Sequence, residues 1–166
     1  MKKIITLSFI TLFGLLATSC TDDDNYVDTD TYSRVIDIQN VSFEWVDNSF
    51  QIARTFTNPM YSTDVLLMYI QTDTTTNGAP VWQQIPITFY LNDGNEVDYN
   101  FDFSMYDFVI YANGTFNLSG SSYVNNLNFR LVLVPADYLK SGNLDYSDYN
   151  SVIQYFEIDD SNPSIL

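Results

Sequence analysis

The sequence predicts an all-β protein, an antiparallel immunoglobulin-like β-sandwich of about nine strands, on three observations. Short apolar runs alternate with polar residues at a period of two. Asn, Asp, Gly and Pro clusters separate these runs at roughly ten-residue intervals. No long stretch shows a helical period. An up-and-down or lipocalin-like barrel is the competing architecture, with the strand count in its favour.

The elements follow in order from near Tyr32. Residues 41–46 and 50–56 both alternate, and the turn-rich Asp47-Asn48-Ser49 between them predicts a hairpin. Asn58-Pro59 breaks the run. Residues 64–71 contain VLLMYI, an apolar run suited to a strand buried on both faces, with a short helix as the alternative. Residues 72–80 are a polar loop. Residues 81–91 form the next strand, where Pro86 lacks a ladder donor and so marks an edge or a bulge. Asn92-Asp93-Gly94-Asn95 is a turn. Residues 97–103 alternate strictly, with Val, Tyr and Phe inward. Residues 108–112 and 115–118 flank Asn113-Gly114, a hairpin signal because a type I′ turn needs positive φ at both positions. After a loop at 120–128, residues 129–134 are a buried strand stopped by Pro135. A short helix is expected at 136–140 within a polar, tyrosine-rich stretch, and residues 152–158 close the domain as a strand.

Composition narrows the chemistry. The 166 residues suffice for one domain, and 46% of them are hydrophobic, too many for a disordered acidic chain. The absence of His removes His-based triads, bases and metal ligands, and a single Cys removes intrachain disulfides and Cys-rich zinc sites. With 21 acidic against 6 basic residues, a net charge of -15 argues against nucleic acid, whose phosphates need clustered Lys and Arg.

The N-terminus reads as an address. Lys2 and Lys3 precede an uncharged, mostly apolar run over 4–17, then Thr18, Ser19 and Cys20. This is the pattern of a secretory signal peptide, and the run is too short to span a bilayer comfortably. Leu16-Ala17-Thr18-Ser19-Cys20 resembles the bacterial lipobox, with Ala17 an accepted variant at the third position before the Cys. The resemblance implies cleavage before Cys20 and acylation of it; two or three acyl chains anchor stably. An ordinary cleaved signal peptide would instead leave a free thiol there. Thr21-Asp22-Asp23-Asp24 resembles the acidic surface-export signal of Bacteroidota lipoproteins, although a solvated leader reads similarly. Lys2 and Lys3 leave with the signal, so Arg34, Arg54, Arg130 and Lys140 face all 21 acids.

The expected domains are a lipoprotein signal peptide at 1–19, a lipidated acidic tether at 20–31, a β-sandwich at 32–160 and a C-terminal tail at 161–166. The tether has five Asp and almost nothing to bury, so flexibility is expected.

Candidate sites are sparse. The three Glu residues suggest no carboxylate pair, so no catalytic residue is assigned and the protein is not expected to be an enzyme. Asn143, Asp145 and Asp148 are the best calcium candidates, but the spacing is not an EF-hand and solvated loop acids are the plainer reading, so no metal or other cofactor is assigned. Trp45, Trp82 and several tyrosines could stack on sugar rings, although strands favour aromatics for packing. Tyr123, Tyr138, Tyr146 and Tyr149 stand in polar loops and are the binding candidates expected to be exposed. Asp73-Thr74-Thr75 resembles the Bacteroidota O-glycosylation motif, in a polar loop, with Thr74 as acceptor.

Residues 82–111, WQQIPITFYLNDGNEVDYNFDFSMYDFVIY, and then FRLVLVP to Pro135 are similar to the globular part of small Bacteroidota (flavobacterial) outer-membrane lipoproteins of unknown function. Some of these carry a collagen-like segment after the lipidated Cys, where this chain has the acidic tether. The resemblance brings no catalytic motif and no site residue beyond Cys20. The reading is a surface-exposed lipoprotein, held in the outer membrane by its lipid, acting as a non-enzymatic binding or structural module. A glycan or a protein is the expected ligand, and a carbohydrate-binding accessory lipoprotein is the alternative.

Overall fold

The computed structural model describes residues 33–135 and 144–166. The chain builds β1 (Arg34–Val41), β2 (Glu44–Val46), β3 (Ser49–Thr55), β4 (Val65–Thr74), β5 (Pro80–Gln84), β6 (Ile87–Tyr90), β7 (Glu96–Phe103), β8 (Asp107–Gly114), β9 (Leu127–Val134), α1 (Tyr149–Tyr155) and β10 (Ser164–Ile165). Two five-stranded sheets form, one ordered β10-β1-β9-β4-β5 and the other β2-β3-β8-β7-β6. Neither closes on itself, so the expected sandwich is found and the barrel is not. Among the described residues all pairings are antiparallel except that of β10 with β1.

Strand periodicity explains the main core. Ile38, Met68, Ile70, Phe129 and Leu131 from the first sheet meet Ile52, Val97, Tyr99, Phe108 and Ile110 from the second. Each fully buried Leu, Ile, Phe or Met there contributes about 1.5–3 kcal/mol. The run VLLMYI is buried on both faces, as expected: Leu66, Met68 and Ile70 enter this core, while Leu67 and Tyr69 enter a second one outside the sheet. Val35, Val132 and Val134 join that second core, and α1 with its C-cap residue Phe156 covers it through Tyr149, Val152 and Phe156.

Several expectations are corrected. Residues 152–158 are mostly helix rather than a closing strand. The Asp148 carboxylate caps α1 by accepting from Asn150 N at 3.1 Å. At the other end Glu157 takes φ 51, and Ile158 N donates to Ile153 O at 2.9 Å, a Schellman-type stop. Asn113-Gly114 is not a hairpin turn, because β8 runs through it with Asn113 opposite Asp98 and Gly114 opposite Val97. The two-residue turn of positive φ is instead Asp47 (48°) and Asn48 (65°), between β2 and β3 where a hairpin was expected. Residues 81–91 divide at Ile85-Pro86: β5 ends one sheet and β6 edges the other. Residues 161–166 are not merely a tail, since Ser164–Ile165 adds an edge strand beside β1. The helix expected at 136–140 lies outside the described residues.

Candidate functional site

Register builds the site on the outer face of the first sheet. Asp37 lies opposite Arg130, and Arg130 lies opposite Tyr69, so three adjacent strands place a charged and polar row beside the apolar one under α1. Asp37 and Arg130 are only 5% and 7% exposed, and an ion pair that dry must be fully bonded. Arg130 Nε and Nη2 donate to the two carboxylate oxygens of Asp37 at 2.6 and 2.9 Å, a bidentate fork. Arg130 Nη1 donates to the Tyr149 hydroxyl at 2.7 Å and to Asp160 Oδ2 at 3.3 Å, and Tyr149 itself donates to Asp160 at 2.5 Å. The guanidinium carbon sits 4.6 Å from the Trp82 ring centroid and 5.4 Å from that of Tyr149, within cation–π range.

The electrostatics follow from this packing. Burial alone disfavours the charge of Arg130, but its bonds to Asp37 and Tyr149 outweigh that and hold its pKa above the ordinary value. The Tyr149 hydroxyl is pushed up, first by burial and then by its bond to Asp160, against the opposing pull of Arg130. Tyr69 is also pushed up, chiefly by burial. Neither phenol is poised to exchange a proton near neutral pH.

Two hollows flank Arg130. One, of about 520 Å³, opens between Pro80, Trp82 and the start of α1, where Asp148, Tyr149 and Asn150 line it together with Asp160. The other, of about 290 Å³, is lined by Asn40, Gln71, Trp82 and Asn128 among others. Asn128 Nδ2 donates to Gln71 Oε1 at 2.9 Å, and Asn128 Oδ1 accepts from Asn40 N at 2.8 Å, so the amides are held in place. Trp82 and Arg130 belong to both hollows, which makes them one bilobed cleft. No known protein family, curated protein or solved structure matches the chain.

The residues singled out from sequence fare differently. Tyr149 is not exposed: it is 7% accessible and braces Arg130. Tyr123 is half-buried, packed edge-on against Phe116 at 6.0 Å, and its carbonyl accepts from the Tyr99 hydroxyl. Tyr146 is 37% exposed, and its carbonyl accepts from the Tyr69 hydroxyl. Asp145 accepts from Ser147 N and Oγ, and Asp148 accepts from Asn150 N and Ser151 Oγ, so both carboxylates serve local turns. Among the described residues no three His, Cys, Asp or Glu side chains gather into a metal-sized group. Thr74 is exposed but ends β4 rather than lying in the loop, and its Oγ1 accepts from Gln71 Nε2 at 3.0 Å. Cys20, Tyr138 and Asn143 lie outside the described residues. Asp37, Arg130 and Asp160 were missed as a set. The available signal was Arg130 itself, a lone cation within the apolar run FRLVLV.

Proposed function

We propose that the protein is a lipid-anchored, non-enzymatic binding module displayed on the outer surface of a bacterial outer membrane. The observation that carries the binding role is the bilobed cleft, which combines the Trp82 ring, fixed amides and a charged floor already satisfied from within. Aromatic surface plus a few oriented polar groups is the composition of a recognition site. Asp37 and Asp160 are tied to Arg130, and Tyr149 holds its proton tightly, so this cleft supplies rigidity rather than an acid and a base. Anchoring rests on Cys20 and the signal that precedes it, and surface display rests on the acidic residues that follow it.

The amides beside Trp82 favour a hydroxyl-rich ligand, which supports the carbohydrate-binding reading. The full chain, solubilised in detergent, is applied to an array of bacterial and plant glycans. Retention that is lost in Trp82→Ala, in protein whose circular dichroism matches wild type, is expected. Retention that survives the substitution contradicts this assignment of the cleft. For the anchor, Cys20→Ala is expected to abolish palmitate incorporation and protease accessibility on intact cells. Labelling that persists contradicts lipidation at Cys20.

A further inference from the structure

The two ends of the sandwich differ in what they expose. At one end β1 and β4 begin, β3 and β7 finish, and β8 starts. The segment after β3 and the β7–β8 turn meet there: Phe56 N donates to Tyr106 O at 2.8 Å, and Met60 N to Met105 O at 2.7 Å. Arg34 and Leu133 of the first sheet line one hollow with Phe56 and Met60, so both sheets end together here. Tyr61, Phe103, Met105 and Tyr106 stand on this tip, between 37% and 62% exposed. Phe103 stacks on Phe101 at 6.1 Å, so the inward row of Val97, Tyr99 and Phe101 runs out of the core into solvent. At the opposite end the exposed Trp45 and Tyr90 sit on β2 and β6, the two edges of the second sheet, about 19 Å apart at the usual strand spacing. Isolated exposed aromatics are ordinary, whereas a cluster marks a contact surface.

Chain direction says what covers the tip. Ser33, just before β1, lies at this end, so the segment that leads back to Cys20 departs from it. Fully extended, that segment reaches roughly 45 Å, at about 3.3–3.6 Å per residue. A bilayer holding acyl chains on Cys20 is therefore always within reach of the tip, and a tethered contact needs little affinity of its own. A partner protein has no such assured proximity. The side chains suit a bilayer surface, because aromatic rings settle at the headgroup level, where one side is apolar and the other wet. Charge points the same way. Among the described residues the cations are Arg34, Arg54 and Arg130. Arg34 and Arg54 lie at this end, and neither forms an ion pair with a described acid. Asp64 and Asp107, also at this end, are engaged locally, accepting from Tyr61 N and Ser104 Oγ. With 21 acids in the chain, an anionic bilayer repels most of the domain and meets unpaired guanidinium groups at the tip.

We infer that this tip rests on the membrane that carries the lipid anchor, with Phe103, Met105 and Tyr106 at the headgroup boundary and Arg34 and Arg54 against lipid phosphates. The inference rests on the anchor proposed above but not on the Trp82 cleft. The acylated full chain is reconstituted into vesicles of equal parts phosphatidylglycerol and phosphatidylcholine, the latter brominated high in its acyl chains so that it quenches tryptophan on contact. Flotation first establishes the anchor. The native tryptophans lie at the far end, on β2, and on β5, so wild-type emission should match that in unbrominated vesicles. Tyr106→Trp should lose emission that wild type keeps, and Tyr61→Trp in the adjoining segment should do the same. Tyr90→Trp, exposed at the opposite end, should not. Adding Met105→Asp to Tyr106→Trp should restore most of the lost emission. Protein that floats without quenching at either tip probe overturns the inference and leaves the anchor standing. Quenching as strong at Tyr90→Trp overturns it too, since the domain then has no preferred end. Protein that does not float refutes the anchor and the inference with it. Floating, unquenched protein that dimerises in detergent sedimentation assigns the tip to a second copy instead.

Discussion

The two sheets of the sandwich share one core yet treat their outer faces in opposite ways. On the first sheet, α1 lies over Val35, Leu67, Val132 and Val134, and a buried ion network continues the cover. On the second, Asp98, Asn100, Asp102, Tyr111 and Asn113 form a polar lattice in solvent, with the Tyr111 hydroxyl donating to Asp102 and both amides donating to Asp98. The strands obey the same period of two. Chain connectivity creates the difference, because among the described residues the helix after β9 packs on the first sheet alone. The covered face can therefore hold rigid concave walls, whereas the open lattice gives a surface without a roof.

Substitutions should separate the faces sharply. Phe156→Ala at the end of α1, where the ring is buried in the second core, should cost about 3–5 kcal/mol in urea unfolding. Tyr111→Phe on the open face should change stability by about 0.5 kcal/mol or less. Comparable losses at the two positions would erase the contrast. Tyr149→Phe keeps the ring but removes the hydroxyl between Arg130 and Asp160, and should cost about 1–3 kcal/mol by the same measurement.

A gain is expected where α1 stops. Glu157 holds a left-handed φ of 51° that glycine adopts without strain. Glu157→Gly should stabilise the protein by about 0.5–1 kcal/mol, read as a higher unfolding midpoint. A loss there would mean that the Glu side chain supports the fold.

The smallest effect concerns acid. Asp148 is held below the ordinary aspartate range by its bonds to Ser151 and Asn150, and Asp145 likewise by Ser147. A depressed folded pKa adds stability above the unfolded value, near 3.9, which is lost as pH falls through the folded value. Repulsion among the many acids relaxes over the same range, so the comparison needs a matched variant. Asp148→Asn still caps the helix but does not titrate. The advantage of wild type over this variant should shrink below about pH 4. A constant difference would remove the carboxylate from the acid response.

How much was legible depended on whether local pattern and tertiary partner agreed. The runs behind β3, β4, β7 and β9 carried their own period and lie where the pattern put them. Asn92–Asn95 turned as written, with Gly94 at φ 84° and Asp93 accepting from Asn95. Asn113-Gly114 had an equally strong local signal, yet pairing with β7 kept β8 extended through it. Residues 152–158 looked like a strand because Val152, Ile153, Phe156 and Ile158 are apolar. Packing on the first sheet made them helical, and the Asp148–Ser151 cap was the overlooked sign. The Trp82 cleft was not legible, since its floor joins Asp37 to Arg130 across 93 positions.

The decisive measurement is a double-mutant cycle on Asp37 and Arg130, followed by urea unfolding. If the pair is a structural floor, Arg130→Met alone leaves Asp37 buried without a partner and should cost about 3–5 kcal/mol. Asp37→Leu combined with Arg130→Met should recover most of that loss. An Arg130→Met protein as stable as wild type, or a double variant no better than the single, would contradict a cleft built on a closed ion pair.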